Sequence, residues 1–494
     1  MSRKKKLLLN TFTGIIKQLV TVICGFILPR YMLLYYGSSV NGLVSSITNF
    51  LGFISLLDMG VGAVVQANLY KPLADKDNNL ISSIVKSSER FFRRLGYIFI
   101  AYILVLCFLY PTMVDFGAWY TISLLIIISI STLAQYLFGM TYQLLLNADQ
   151  KSYIQLTIQI VTIILNTVFS IALMQMGASI HLVKLMTASV YVLRPLAQMF
   201  YVHRRYNINK NITVVGEPIK QKWNGFAQHF AAVVCQNTDV TVLTIFSTLE
   251  NVSIYSVYYN VTNGVEQIIM TAATGLESLF GNLIANNEKA KLHCFFDAVE
   301  WITHTGVTVI FTIAGITIVS FIRVYTKGIS DANYVAPLFA TILVVAYGVQ
   351  CLRIPYFRII KAAGHFRETQ NGAYISAILN IAITITLVFR FGLVGAASGT
   401  FIAMFYHTCY FVWYLRKNIL NRPVKQFIIY LIIDFFVAVI SYWLTKGLVF
   451  NTATYGEWFV LAIKVSLIVV LVSLILNVII LKTQIKNVVS LLKK

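Results

Sequence analysis

Long apolar runs separated by short, basic breaks dominate the chain, and their length predicts membrane-spanning helices. Runs long enough to cross a bilayer, at about 20 residues each, fall at roughly 8–36, 39–66, 92–113, 117–146, 153–177, 180–202, 223–248, 251–284, 298–322, 335–360, 370–389, 392–415, 425–446 and 457–481. That pattern predicts an all-α integral membrane protein of about 14 transmembrane helices. Gly25, Pro29, Pro195 and Pro355 fall inside runs without splitting them, because membrane helices tolerate both residue types. The longest polar stretches, about 66–91 and 203–222, read as loops, and neither is long enough to fold as a soluble domain.

Composition narrows the class further. The 494 residues are 58% hydrophobic and only 12% charged, with a mean hydropathy of +0.76, whereas soluble domains carry about 25% charged residues. A formal charge of +21 invites a nucleic-acid reading, but that requires cations gathered on one soluble face. Here they sit in short clusters between apolar runs. Assigned to alternate sides of the predicted spans, Lys and Arg divide 30 against 6, with Lys17, Arg194 and Lys464 left deep within spans. The excess marks the cytoplasmic side, so both termini are expected there. Arg3 to Lys6 followed by an apolar run resembles a signal peptide, yet no small-x-small site follows, and an uncleaved first helix is expected. The six cysteines are scattered singly, which points to neither a metal site nor a disulfide framework.

Two stretches, residues 145–177 and 359–392, align at an offset of 214 that places Ala148 on Ala362 and Asn166 on Asn380. One added residue then brings Gly177 onto Gly392, and each copy runs on to a basic stop, His203-Arg204-Arg205 in one and Arg416-Lys417 in the other. The offset implies an N-terminal six-helix repeat over 1–203, a cytoplasmic linker over 204–222 and a C-terminal six-helix repeat over 223–417. Residues 418–494 add two further helices and a tail. Six crossings per repeat give both halves the same orientation around a central cleft, which is a transporter architecture.

Three segments carry a family resemblance. They are YYGSSVNGLVSSITNFLGFISLLDMGVG with LYKPLADKD after it, NTDVTVLTIFSTLENVSIYSVYYNV, and AAGHFRETQNGAYISAILNI followed by FGLVGAASGT. The chain resembles the Wzx-type polysaccharide repeat-unit flippases (O-antigen, capsule or exopolysaccharide) of the MATE-like multidrug/oligosaccharidyl-lipid/polysaccharide exporter superfamily. The resemblance implies a bacterial inner-membrane flippase rather than an enzyme. Its cargo would be an undecaprenyl-diphosphate-linked oligosaccharide, moved from the cytoplasmic to the outer leaflet by alternating access. A polysaccharide polymerase and chain-assembly proteins are the partners it implies, and no cofactor is expected beyond H⁺ or Na⁺ coupling.

Ionisable residues at membrane depth are expensive, so each is a functional candidate. A lipid-linked diphosphate is matched by Arg or Lys in a water-filled cleft, and Lys17, Arg30, Arg194, Arg353 and Arg358 are the candidate lining of such a cationic cavity. Arg30, Arg353 and Arg358 also admit a bland reading in which they snorkel to the interfaces. Among the acids, Asp239, Glu266 and Asp58 are candidates for ion coupling, with Glu277 and Asp434 behind them. Asp239 leads because Asn237 and Thr238 beside it offer extra oxygen ligands; the competing reading is a buried ion pair. His229, His304 and His407 sit singly on apolar helices, where hydrogen bonding across helices is the expected role.

Several alternatives stay open. A peptidoglycan lipid-precursor flippase shares the carrier lipid, and a MATE-type ion-coupled drug exporter would want an acidic cavity for cationic cargo. A membrane-embedded glycosyltransferase or polymerase needs an acid or base and a sizeable loop; no D-x-D, G-x-S-x-G or glycine-rich phosphate loop appears. If the cationic-cavity reading holds, replacing Lys17 and Arg194 with glutamine cripples export of surface polysaccharide. Wild-type polysaccharide levels on cells carrying those variants would remove both residues from the mechanism.

Overall fold

The structure is a computed structural model that describes residues 3–58, 61–209, 226–448, 453–482 and 484. Among these residues the regular structure is entirely helical. This is what a bilayer enforces, because a spanning backbone must satisfy its own hydrogen bonds. The helices of the described residues trace the fourteen expected spans, and 11 helical segments among them are long and apolar enough to cross a membrane by length and composition alone.

Two predicted spans lie within the first helix, α1 (Arg3–Gly52), which breaks at Gly37. Gly37 adopts φ +80°, a conformation only glycine takes without strain. The second crossing goes on to a 3₁₀ segment, Phe53–Asp58, and α2 spans Val61–Asp75. There follow α3 (Asn78–Leu109) and α4 (Ala118–Ala134), then a π-helical turn, Gln135–Gly139, that leads into α5 (Met140–Ala148). Next come α6 (Ser152–Gln175), α7 (Ile180–Arg205) and α8 (Phe226–Phe246).

The eighth crossing is α9 (Leu249–Ala272) joined by a short 3₁₀ turn to α10 (Leu276–Ala285). After α11 (Lys289–Tyr325), the tenth crossing is divided into α12 (Pro337–Leu352) and α13 (Ile354–Ala362). The break falls at Arg353 because Pro355 has no N–H to donate and crowds the preceding turn. The remaining crossings are α14 (Gln370–Phe391), α15 (Leu393–Asn418), α16 (Lys425–Thr445) and α17 (Tyr455–Ile480).

The stretch 66–91, expected as a loop, is helical, and that expectation is corrected. Ile81, Ile84, Val85, Ser88 and Phe92 are buried at helical spacing, so this polar segment has an apolar stripe that hydropathy averaging hides. The stripe packs with Val61, Val65 and Leu69 of α2 and with Leu145 and Leu146 of α5. Asp77 caps α3, its carboxylate accepting from the Asn79 and Leu80 N–H groups at 3.0 and 2.9 Å. Most of the predicted linker, including Gly216 and Pro218, lies outside the described residues.

The chain separates into two compact units. One comprises residues 1–233 and 248–253, the other residues 234–247 and 254–494. In the second unit α14 and α15 pack very closely across Gly392, which takes φ +52°. A Cβ on Gly395 would lie 2.3 Å from the Leu387 carbonyl oxygen, and one on Gly399 would lie 2.1 Å from Thr384 Oγ1. Small residues at a helix interface are how membrane helices approach without help from the hydrophobic effect. The last pair, α16 and α17, packs on α11 through Ile316, Tyr430, Ile433, Val437, Leu461, Val465 and Val469. Trp301 Nε1 donates to Asn477 Oδ1 at 2.8 Å in the same layer. Leu467, Leu471, Leu474 and Ile475 form an exposed face of α17, a surface that only lipid covers at acceptable cost.

In the first unit the start of α1 is tied to the turn between α5 and α6. Lys6 Nζ reaches Asp149 Oδ1 at 3.0 Å, Lys151 reaches Asp149 Oδ2 at 2.7 Å, and Tyr206 donates to the same oxygen at 2.5 Å. Asn10 adds a reciprocal pair, donating to the Gln150 carbonyl and accepting from the Tyr153 N–H. Burial alone would raise the Asp149 carboxyl, but hydrogen bonds from Lys151, Tyr206 and Lys6 outweigh it and hold the group below the usual carboxylate range. A carboxyl so depressed contributes its full stabilisation above the unfolded value of about 4 and loses it as pH falls through the lower folded value. Thermal unfolding in detergent, followed from about pH 6 to about pH 3, should show an acid-side loss in the wild type that is blunted in Asp149→Asn. Identical acid profiles would show that this cluster does not hold α1 in place.

Candidate functional site

Each unit holds a buried polar cluster, and the two differ in sign. In the second unit the cluster is built on Asp239 of α8, which is 1% exposed. Tyr255 on α9 donates to Asp239 Oδ2 at 2.7 Å, and Thr400 on α15 donates to the same oxygen at 2.5 Å. Thr384 on α14 stands 3.5 Å from Oδ1. Asn380, one turn before Thr384, donates through Nδ2 to Thr400 Oγ1 at 3.1 Å, while its Oδ1 is buried without a partner. No ion pair to Asp239 occurs among the described residues, so the competing reading of a buried salt bridge does not describe this carboxylate.

Thr238, one of the two neighbours expected to assist Asp239, does not. Thr238 hydrogen-bonds the Val234 carbonyl of its own helix at 2.7 Å, because adjacent residues on a helix point to different faces. The oxygen set comes instead from α9, α14 and α15. The sequence signal for it existed in part: Asn380 and Thr400 both fall in the segments that carry the family resemblance. A carboxylate, a free amide oxygen and several hydroxyls form an all-oxygen set suited to a hard monovalent cation or a proton.

Glu266 on α9 is buried and accepts a hydrogen bond from Gln350. Arg353, at the break between α12 and α13, donates to His407 Nδ1 at 2.8 Å and lies near enough to Glu266 for their charges to interact. Arg358 is committed elsewhere, with NH1 at 3.3 Å from Glu277 Oε2 and Lys361 completing the pair at 3.1 Å. His304 meets Asp434 at 2.6 Å between α11 and α16, and His229 meets the Ser55 carbonyl at 2.7 Å. All three intramembrane histidines therefore bond across helices, as their isolation on apolar faces predicts.

In the first unit the cluster is built on Arg194 of α7. Its Nε donates to Thr162 Oγ1 at 2.6 Å, and the guanidinium lies 3.9 Å over the Tyr191 ring. Tyr191 in turn accepts from Asn166 Nδ2 at 3.2 Å. Lys17 on α1 is half-buried, and its charge interacts with that of Arg194. Neither cation pairs with a carboxylate among the described residues. Arg30 follows Pro29 on α1 and is half-buried and partnered. The backbone of Asp58 ends the 3₁₀ segment, and its side chain lies outside the described residues.

Two cavities adjoin this cluster. One of about 490 Å³ is lined by Asn166, Lys184 and Tyr191 among others, and one of about 280 Å³ by Arg194 and several glutamines. Sequence reasoning missed the glutamines, although amides at 135, 143, 159 and 198 inside apolar spans are a visible anomaly. In the second unit a largely apolar groove of about 780 Å³ runs between α11, α12, α15 and α16, with Phe311, Phe401, Phe405 and Phe435 in its walls.

The chain's architecture has solved counterparts. It superposes on the lipid II flippase MurJ in an inward closed conformation with a TM-score of 0.72 at 14% identity, covering 97% of this chain and 100% of the other. The fold is that of the MOP-superfamily transporters. An inward-facing multidrug-resistance MATE transporter of that superfamily matches with a TM-score of 0.61 at 12% identity, over 81% of this chain and 95% of that one. A MOP-superfamily transporter from Pyrococcus furiosus, described as having a binding pocket of reverse polarity, matches with a TM-score of 0.59 at 13% identity, over 86% of this chain and 98% of that one. No protein-family model and no curated protein matches the sequence. At these identities the comparisons establish the multi-pass MOP architecture, and the Wzx resemblance stands as an expectation.

Proposed function

We propose that this chain is a flippase that moves undecaprenyl-diphosphate-linked oligosaccharide repeat units from the cytoplasmic to the outer leaflet of a bacterial inner membrane, with both termini cytoplasmic. The observation that carries the reading is the pair Lys17 and Arg194, two cations at membrane depth that no carboxylate among the described residues neutralises. Such charges are costly unless an anion visits them, and a diphosphate is one. A MATE-type exporter of cationic drugs would place acids there instead. The apolar groove beside α16 supports the same reading, since a polyisoprenyl chain needs an apolar path while its headgroup occupies a polar one. Arg30 completes the proposed cationic lining in the first unit, and Arg353 and Arg358 are proposed cargo-facing cations of the second unit, bonded to His407 and Glu277 in the present state.

The two-repeat organisation is supported by the paired asparagines. Asn166 bonds from α6 to α7, and Asn380 bonds from α14 to α15. Alternating access then couples to a cation or proton at Asp239, with Asn380, Thr384 and Thr400 as co-ligands and Glu266 as a second acid. Asn380 Oδ1 favours this, because a buried acceptor without a donor costs about 1–3 kcal/mol and a cation removes that cost.

A second reading, flipping of a peptidoglycan lipid precursor, is favoured by the likeness to the lipid II flippase. Deleting the gene and analysing lipid-linked saccharides by leaflet separates the readings. Repeat units accumulating in the cytoplasmic leaflet support the proposal, accumulating lipid II supports the second reading, and loss of all lipid-linked units contradicts both. For coupling, flipping in proteoliposomes should respond to a Na⁺ or pH gradient and fall at least about tenfold in Asp239→Asn, the loss of roughly 1.4 kcal/mol or more. Wild-type transport indifferent to both gradients would sink the coupling assignment.

A further inference from the structure

The smaller cavity of the first unit has a chemistry that a cationic cavity alone does not require. Four carboxamides line it: Gln135 from the π-helical turn, Gln143 from α5, Gln159 from α6 and Gln198 from α7. Carboxamides are rare at membrane depth because each buries two donors and an acceptor that hydrocarbon cannot satisfy. Gln135 Nε2 donates to Gln143 Oε1 at 3.0 Å, which accounts for part of the set. Gln198 is 1% exposed, and its Oε1 has no partner in the protein.

Backbone irregularity at this point follows from the same construction. A π-helical turn is a rare insertion that occurs preferentially at functional sites. Here it starts at Gln135 and ends at Gly139. A Cβ on Gly139 would lie 2.5 Å from Gln135 Oε1 and 2.8 Å from Pro195 Cβ, so glycine is what lets this turn sit against α7. The cavity, about 280 Å³, shares Ser131, Thr132, Tyr136 and Tyr191 with its 490 Å³ neighbour. Together they fall in the size range of small-molecule sites, about 300–1,000 Å³.

We propose that this glutamine-lined chamber is a saccharide-binding site. Charge and hydrogen-bond direction select that ligand class. No carboxylate lines the chamber, which disfavours an organic cation, and its polar walls disfavour an isoprenoid chain. A diphosphate esterified at both ends, as in a lipid-linked sugar, is an acceptor alone near neutral pH, so it cannot satisfy Gln198 Oε1. A sugar hydroxyl donates and accepts at one atom, and the amides do the same from the protein side. Arg194, whose Nε is already given to Thr162, retains NH groups for a ring or carboxylate oxygen of the sugar. The inference rests on the flippase reading only in making this saccharide part of the cargo.

The test uses the full chain in lipid nanodiscs, with glucose, N-acetylglucosamine and glucuronic acid as probes in saturation-transfer NMR, and inorganic diphosphate and tetraethylammonium as controls. At least one sugar should show transfer to its ring protons. Affinity should drop about tenfold in Gln198→Leu, the change expected for one lost hydrogen bond in a buried site. Gln143→Met provides the same readout should Gln198→Leu fail to fold, as judged by thermal melting. Sugar signals that are absent in the wild type, or unchanged in either folded variant, overturn the site. The two proposals separate cleanly. Sugar binding without cytoplasmic-leaflet accumulation in the deletion strain leaves the site and removes the flippase reading, and accumulation without sugar binding does the reverse.

Discussion

The cost of leaving a polar group unpartnered inside a bilayer governs this molecule at every level. It makes every crossing helical, since a backbone in hydrocarbon has no water to bond. It also decides where the helices may be irregular. The tenth crossing breaks at Arg353, where the side chain bonds His407, and the fourth swells into a π turn, where Gln135 bonds Gln143. In both places a polar side chain finds its partner within the protein. The same cost explains the tight seam of α14 on α15. Gly395 and Gly399 bring the two backbones close enough for Thr384, Thr400 and Asn380 to converge on one carboxylate. Replacing either glycine would separate the helices before it changed any ligand.

Much of the fold was legible because hydropathy reports directly on the dominant physical term. Each of the fourteen predicted runs overlaps helical structure among the described residues, and even the break between the first two falls at Gly37. Hydropathy averages over all faces of a helix, however, so it misreads a segment with one apolar stripe. Residues 78–91 are the example: polar by count, they are helical and buried along Ile81, Ile84, Val85 and Ser88. Periodicity, applied to that window, would have found them.

The candidate sites were legible by residue type and illegible by pairing. Asp239 stood out as an acid at depth, which composition alone reveals. Its partners lie 16, 145 and 161 residues away in sequence, and no local spacing encodes such separations. Proximity in sequence was misleading for Thr238, whose hydroxyl turns to its own helix. Arg358, another cation expected in the cavity, has a partner that the sequence does not reveal: the turn of α13 brings it to Glu277. An isolated charge in a sequence says that a partner is required, and only the fold says whether that partner is part of the protein or a ligand.

That distinction gives the two clusters their meaning. Asn166 and Asn380 are the positions that the proposed repeat aligns, and each ties its helix to the next by a side-chain hydrogen bond. What surrounds them differs in charge. Beside Asn166 stand Tyr191 and Arg194, a ring and a cation; beside Asn380 stand Thr400 and Asp239, a hydroxyl and an acid. An asparagine-tied helix pair thus adjoins a basic group in one unit and an acidic one in the other. Under the proposed repeat, a few side-chain differences are enough to give one helix-pair design opposite charge in the two units. The proposed anionic cargo and cationic driver are opposite in charge, so a transporter handling both would need two sites of opposite sign. A pair of helices tied by one asparagine, used twice, would be an economical way to build them.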